Sequence, residues 1–161
     1  MHRRHLLSCL SLGALSTVLG CSAQAPQASA ETVNPLNLSD AEWKRRLSPD
    51  AYNVLRHEAT ERPGSSRLLD EHRKGTFVCA GCDLDLFTSD AKYDSGTGWP
   101  SFWKPISGHI KTKTDYKIGV PRTEYHCARC GGHQGHVFDD GPRPTGKRYC
   151  NNGVALKFIP A

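Results

Sequence analysis

Apolar positions along the chain fall into three regimes. From Leu6 to Leu19 they run almost unbroken, from residue 22 to 38 they lose any period, and beyond Ser39 they recur first at helical and then at strand spacing. Ser39-Asp40-Ala41-Glu42 has the serine-to-glutamate spacing of a capping box. Ser48-Pro49-Asp50-Ala51 sets a cap and a first-turn proline ahead of Tyr52, Leu55 and Ala59, spaced three and four apart. Two short helices are therefore predicted between residues 39 and 60. From Thr76 the pattern shortens into strand-like segments broken by Gly, Pro and Asp, at 76–79, 111–120, 122–127, 135–138 and 154–158. The expected fold is mainly β (α+β), a single small domain over 39–161 with helices in front of antiparallel strands.

The 14-residue apolar run sits behind Arg3 and Arg4 and ends in Val18-Leu19-Gly20-Cys21. A bilayer core takes about 20 residues of helix, so the run is short for a span and fits a secretory signal at 1–20. Its end resembles a lipobox, in which the cysteine, here Cys21, is lipidated and becomes the first mature residue. An ordinary secretory signal with an incidental cysteine is the plainer alternative, and Arg3-Arg4 suits a twin-arginine leader and a Sec leader alike. Residues 21–38, rich in Ala, Ser, Gln and Pro and nearly uncharged, read as a flexible tether. The expectation is a periplasmic or otherwise extracytoplasmic protein that meets a membrane only through lipid at Cys21.

With 161 residues, 37% of them hydrophobic, the chain has enough apolar mass for one modest core, which excludes disorder as a whole. The excess of 21 Lys+Arg over 16 Asp+Glu includes the two leader arginines, and so small a surplus does not argue for nucleic acid. Seven cysteines change the picture more, because an odd count excludes a fully paired disulfide scaffold.

Four of them form Cys79-Ala80-Gly81-Cys82 and Cys127-Ala128-Arg129-Cys130, with 44 residues between the pairs. Two such knuckles can surround one Zn²⁺ tetrahedrally, and four protein ligands leave no open position, which makes the metal structural. Haem attachment needs a histidine after the second cysteine, where Asp83 and Gly131 stand, and a thioredoxin-like pair needs a βαβ setting that is missing. A pair of disulfides, favoured by an oxidising compartment, remains the rival.

Setting aside Cys9 in the leader and Cys21 leaves Cys150, in Lys147-Arg148-Tyr149-Cys150-Asn151-Asn152. The two bases favour a thiolate and the asparagines offer hydrogen bonds, which suits a nucleophile, although a buried structural cysteine is the bland alternative. Just upstream, His133 and His136 can donate protons near neutral pH, or can be ordinary partly exposed histidines. Trp99, in a Gly-Trp-Pro loop with Phe102 and Trp103 close by, can wall a site for a methyl or thioether group or fill a core.

Taken in order, Cys-x-x-Cys, Lys-Tyr-Asp-Ser-Gly-x-Gly-Trp-Pro-Ser-Phe, the second Cys-x-x-Cys, Gly-His-x-Gly-His-Val-Phe-x-Asp-Gly-Pro and Gly-x-Arg-Tyr-Cys-x-Asn resemble methionine sulfoxide reductase B. The motifs cover residues 77–158, about half the chain. The resemblance implies a small β-barrel or β-tent, one structural zinc on Cys79, Cys82, Cys127 and Cys130, and reduction of methionine-R-sulfoxide in oxidised proteins by a monomer. It also implies roles: Cys150 as nucleophile, His133, His136 and Asn152 as active-site residues, and Trp99 and Phe138 as substrate contacts. Where many members carry a resolving cysteine in Ser-Gly-Cys-Gly-Trp, this chain has Thr97. A one-cysteine enzyme then needs an external thiol, outside the cytoplasm a thioredoxin-like donor. A non-catalytic zinc-binding partner or chaperone module would explain the four knuckle cysteines alone.

Overall fold

Reciprocal hydrogen bonds between Ser39 and Glu42 cap the first helix, α1 (Asp40–Arg46), and Ser48 with Pro49 starts the second, α2 (Pro49–His57). Helix α2 stops at Glu58, which turns left-handed at φ 56°, so Ala59 falls in the following loop and not on the helix face. Neither helix is long enough to stand alone in water. Each is held by what it buries: Trp43 on α1, and Ala51, Tyr52, Val54 and Leu55 on α2.

The computed structural model describes residues 33–161. The leader expected at 1–20, Cys21 and most of the tether lie outside the described residues. The end of the expected tether does not behave as a free spacer: Val33, Leu36 and Leu38 pack on the core, and the Leu36 amide donates to the Arg129 carbonyl at 2.7 Å. Three aliphatic side chains in six residues carry enough apolar surface to dock even without a periodic pattern. No helix among the described residues is long and apolar enough to cross a membrane.

Nine strands follow among the described residues: β1 (Gly75–Cys79), β2 (Asp85–Thr88), β3 (Lys92–Tyr93), β4 (Ser101–Phe102), β5 (Ile110–Asp115), β6 (Arg122–Cys127), β7 (His133–Phe138), β8 (Arg148–Asn151) and β9 (Leu156–Pro160). They form two antiparallel sheets, one ordered β2-β1-β9 and the other β3-β4-β8-β7-β6-β5. Strands β2, β3, β4 and β8 have no counterpart among the predicted segments. Two of them are only two residues long, too short to show a period, and Arg-Tyr-Cys-Asn in β8 does not alternate apolar with polar. Strand β5 ends at Asp115 instead of running to Val120, because the chain reverses where the Gly119 amide donates to the Tyr116 carbonyl at 2.9 Å. Val154 belongs to a 3₁₀ turn, which moves the start of the last strand to Leu156.

Aromatic side chains join the sheets. Phe87 of the smaller sheet stacks on Phe102 of the larger at 4.1 Å between ring centroids, and Phe77 meets Phe102 edge-on at 5.0 Å. Tyr125 and Tyr149 continue the cluster at 5.5 Å. Phe77, Phe87, Phe102 and Tyr125 are wholly buried, so the larger sheet lies on a rigid aromatic layer.

Candidate active site

The two knuckles meet at one end of the molecule. Cys79 closes β1 and Cys127 closes β6, and tight turns bring Cys82 and Cys130 back beside them. Sulfur separations are 3.7 Å for Cys79–Cys130 and 3.5 Å for Cys82–Cys127, and all four atoms lie within 4.8 Å of one another. A tetrahedron with 2.3 Å metal–sulfur bonds spaces its corners by about 3.8 Å. The cluster therefore has the dimensions of a zinc site. Two disulfides would instead need two short pairs at about 2.05 Å. The Cys127 sulfur beside them pushes the Cys79 and Cys130 thiols up, and four like charges this close would need a cation among them. Gln134 donates from Nε2 to the Cys79 sulfur at 3.5 Å, and the Cys130 carbonyl accepts from Arg56 at 3.0 Å.

Away from the knuckles, register places the reactive side chains in one line. Lys113 on β5 pairs with Glu124 on β6, Glu124 with His136 on β7, His136 with Cys150 on β8, and Cys150 with Ser101 on β4. Directly paired residues of an antiparallel sheet point to the same face. One row across five strands thus carries an amine, a carboxylate, an imidazole, a thiol and a hydroxyl. The approach of β7 to β8 needs Gly135, since a Cβ there would sit 1.9 Å from the carbonyl oxygen of Cys150.

Strict alternation would put His133 and His136 on opposite faces of β7. The β6–β7 register shifts between Tyr125 and His126, so His133 and Gly135 span what a single step spans on β6. This bulge brings the two imidazoles together, with centroids 5.5 Å apart. Each has a carboxylate partner: His133 Nδ1 lies 2.7 Å from Glu124 Oε1, and His136 Nε2 lies 2.8 Å from Asp115 Oδ2. Asp115 also accepts from the Lys117 amide and from Arg122, and these three contacts hold its carboxyl well below the usual range. Facing an ionised Asp115, His136 must donate from Nε2, which leaves Nδ1 as its free nitrogen. Burial pushes His133 down against the opposing pull of Glu124, so His133 is neutral, with a buried Nε2 that has no partner.

Cys150, His136, Asn152, Trp99 and Phe138 line one cleft of about 130 Å³. His133 is nearly sealed behind it at 2% exposure and does not line it. Trp99 donates from Nε1 to the Glu61 carbonyl at 3.1 Å, and the Glu61 amide donates to Asn152 Oδ1 at 2.9 Å. The Glu61 carboxylate in turn accepts from the Gly153 and Val154 amides. The segment after α2 thereby ties the Trp99 loop to the turn that follows Cys150. Phe138 is fixed by the Arg148 guanidinium 4.3 Å from its ring, and Arg148 forms a two-pronged pair with Asp140, both bonds 2.8 Å.

The neighbours of Cys150 differ from those its sequence context suggests. Lys147 is turned away and paired with Asp139, and the asparagine amides are bonded elsewhere: Asn151 to Tyr125 Oη at 2.8 Å, Asn152 to the Gln134 carbonyl at 3.0 Å. Burial pushes the Cys150 thiol up, and the Arg148 charge and the nearby Thr97 hydroxyl pull in the other direction. Thr97 is itself bonded to Ser95 at 2.8 Å, and Ser95 to Ser101 at 2.8 Å. The half-buried sulfur thus sits in an apolar cleft with a hydroxyl chain on one side and an imidazole on the other. That suits attack on a small electrophile whose oxygen must gain a proton.

Sequence reasoning missed Asp115, Glu124, Glu61, Arg122 and Thr60, the last two of which line the cleft. None belongs to a local motif. The only hint lay in the paired histidines, which need acceptors to fix their tautomers.

Comparison with known proteins adds kinship. The SelR domain family matches residues 47–160. A peptide methionine sulfoxide reductase MsrB of Bradyrhizobium diazoefficiens is 53% identical over 137 residues, covering 84% of this chain and 99% of that protein. The MsrB of Leptospira interrogans is 51% identical over 124 residues, 76% and 95% of the two chains. The chloroplastic peptide methionine sulfoxide reductase B1 of Arabidopsis thaliana is 47% identical over 154 residues, 92% and 75%. With its SelR match spanning most of the chain and relatives at about half identity over nearly their whole length, the protein belongs to the MsrB family.

Proposed function

We propose that the protein reduces methionine-R-sulfoxide in oxidised proteins to methionine, with Cys150 as nucleophile and His136 as proton donor. The observation that carries this is the cross-strand pairing of His136 with Cys150 at a cleft walled by Trp99 and Phe138. The Cys150 thiolate attacks the sulfoxide sulfur while the oxygen accepts a proton from His136, whose ring Asp115 orients. Transfer of that oxygen to Cys150 yields methionine and Cys150 sulfenic acid. Trp99 and Phe138 receive the methyl and thioether, and their fixed placement by Glu61 and Arg148 selects one sulfoxide epimer. His133, edge-on to His136, supports it from behind. Asn152, which accepts from the Glu61 amide and donates to the Gln134 carbonyl, positions the Cys150 turn.

Thr97 stands beside Cys150 in place of a second thiol, and the other cysteines among the described residues are the four of the zinc cluster. Two external thiols therefore restore the enzyme: one forms a mixed disulfide with release of water, the second displaces Cys150. Cys79, Cys82, Cys127 and Cys130 would hold a zinc ion that supplies structure only, since four thiolates would leave it no open position. The leader pattern and Cys21 support an exported, lipid-tethered enzyme that draws on a thioredoxin-like donor and works as a monomer. A non-catalytic zinc module has no use for the aligned histidine, thiol and aromatic wall.

The test is turnover of R- and S-sulfoxide peptides by the wild type and Cys150→Ser, with intact mass after one sulfoxide equivalent. We expect R-specific reduction lost in the variant and a gain of one oxygen. Retained R activity in Cys150→Ser, or loss of two hydrogens in place of the oxygen gain, would remove the mechanism.

A further inference from the structure

The hairpin between β5 and β6 ends in Tyr116-Lys117-Ile118-Gly119-Val120-Pro121. Tyr116 is 68% exposed, Ile118 61% and Val120 54%, and among the described residues the only other large hydrophobic side chain so placed is Ile159. Three exposed apolar side chains within five residues form a patch, in contrast to the scattered exposure of an ordinary surface. The tip is also well fixed. Asp115 accepts from the Lys117 amide at 2.8 Å, Gly119 closes the turn on Tyr116, and Lys117 reaches Glu58 at 2.6 Å.

The base of the hairpin that carries the patch adjoins the cleft. The residue before it, Asp115, holds His136, and the residue after Pro121 is Arg122, which lines the cleft. The cationic groups of the hairpin that face this region are already matched: Lys113 and Lys117 by Glu58, and Arg122 by Asp115. What the tip offers a partner is therefore apolar contact and not charge, which does not suit an anionic membrane or nucleic acid.

We propose that Tyr116, Ile118 and Val120 form a docking surface for apolar residues that flank the oxidised methionine in a polypeptide substrate. This rests on the sulfoxide reduction proposed above. A cleft of about 130 Å³ admits a side chain, so the polypeptide bearing it must pass over the cleft mouth, next to the hairpin whose base residue Arg122 lines it. Methionine is mostly a core residue, and its oxidation to a polar sulfoxide loosens the core around it. A chain in need of repair consequently presents the sulfoxide together with apolar neighbours.

The experiment compares three R-sulfoxide substrates on the full chain: a peptide with leucine and valine around the sulfoxide, one with serine and glycine, and N-acetyl-methionine sulfoxide. The wild type is expected to favour the apolar peptide through a lower KM. The triple variant Tyr116→Ser, Ile118→Ser, Val120→Ser should lose about tenfold in kcat/KM on that peptide alone, through KM. Ile118→Ser by itself should show part of the same loss. Equal use of both peptides by the wild type, or a loss in the triple variant that extends equally to N-acetyl-methionine sulfoxide, would overturn the docking surface and leave the reduction intact. If the wild type reduces none of the three substrates, both readings fall. Loss of phosphatidylglycerol vesicle binding in the triple variant, with peptide preference unchanged, would assign the tip to a membrane and overturn the proposal.

Discussion

Replacing Thr97 by valine keeps the volume of the side chain and removes only its hydroxyl. That hydroxyl is bonded to Ser95 at 2.8 Å and pulls on the Cys150 thiol near it, and Ser95 retains Ser101 when it goes. The damage therefore concentrates on the thiolate. A hydrogen bond to a charged group contributes about 1.5 kcal/mol at the lower end of its range, which corresponds to roughly tenfold in the thiolate fraction below the titration midpoint. The sign follows from the cleft: burial has already raised the Cys150 thiol, so at neutral pH it is mostly protonated and its reactivity climbs with pH. Losing a group that stabilises the charged form moves that climb to higher pH. Alkylation of Cys150 in the zinc-loaded protein, followed by mass spectrometry across the neutral and alkaline range, reads this directly. Thr97→Val should alkylate roughly tenfold more slowly near neutrality and converge with the wild type at high pH, and Thr97→Ser should recover. Superimposable curves for wild type and Thr97→Val would refute the role given to the hydroxyl, whatever happened to turnover.

Three further expectations follow from the same geometry. Chelation of zinc should abolish the cooperative thermal transition and restored zinc should return it, because structural zinc contributes on the order of 10 kcal/mol, comparable with the whole stability of a domain; an apoprotein with an unchanged Tm would contradict this. Gly135→Ala should cost about 3 kcal/mol in denaturant unfolding, since the new Cβ at 1.9 Å from the Cys150 carbonyl forces β7 from β8; wild-type stability would show that the strands have slack. His133 is depressed by burial, so its contribution to stability is full above the ordinary histidine value of 6.5 and is lost as pH falls. Urea unfolding at about pH 7.5 and about pH 5.5 should therefore show a smaller loss for His133→Gln than for the wild type, and equal losses would place His133 in a less buried setting.

The parts of the protein that were legible in its sequence are those whose geometry is local. A two-residue gap brings Cys79 to Cys82 and Cys127 to Cys130, and a three-residue gap joins Ser39 to Glu42, so spacing alone announced the knuckles and the caps. Cys150 emerged by elimination. The electrostatics around it did not, because they follow strand geometry. Arg148 and Cys150, two apart on β8, share a face, and the guanidinium acts on the thiol; Lys147, just ahead of the strand, pairs with Asp139 instead. Proximity in sequence counted both bases equally, whereas only Arg148 shares a strand face with the thiol. The carboxylates that orient the histidines are 9 and 21 residues from them, and their placement depends on the β5–β6–β7 register. For His133 it depends further on a bulge that local sequence does not mark. A one-residue slip of β7 would leave every motif intact and turn His136 from Cys150 to the opposite face. The chemistry of this site is thus specified by residues such as Gly135 and Tyr125, which hold that register while taking no part in the reaction.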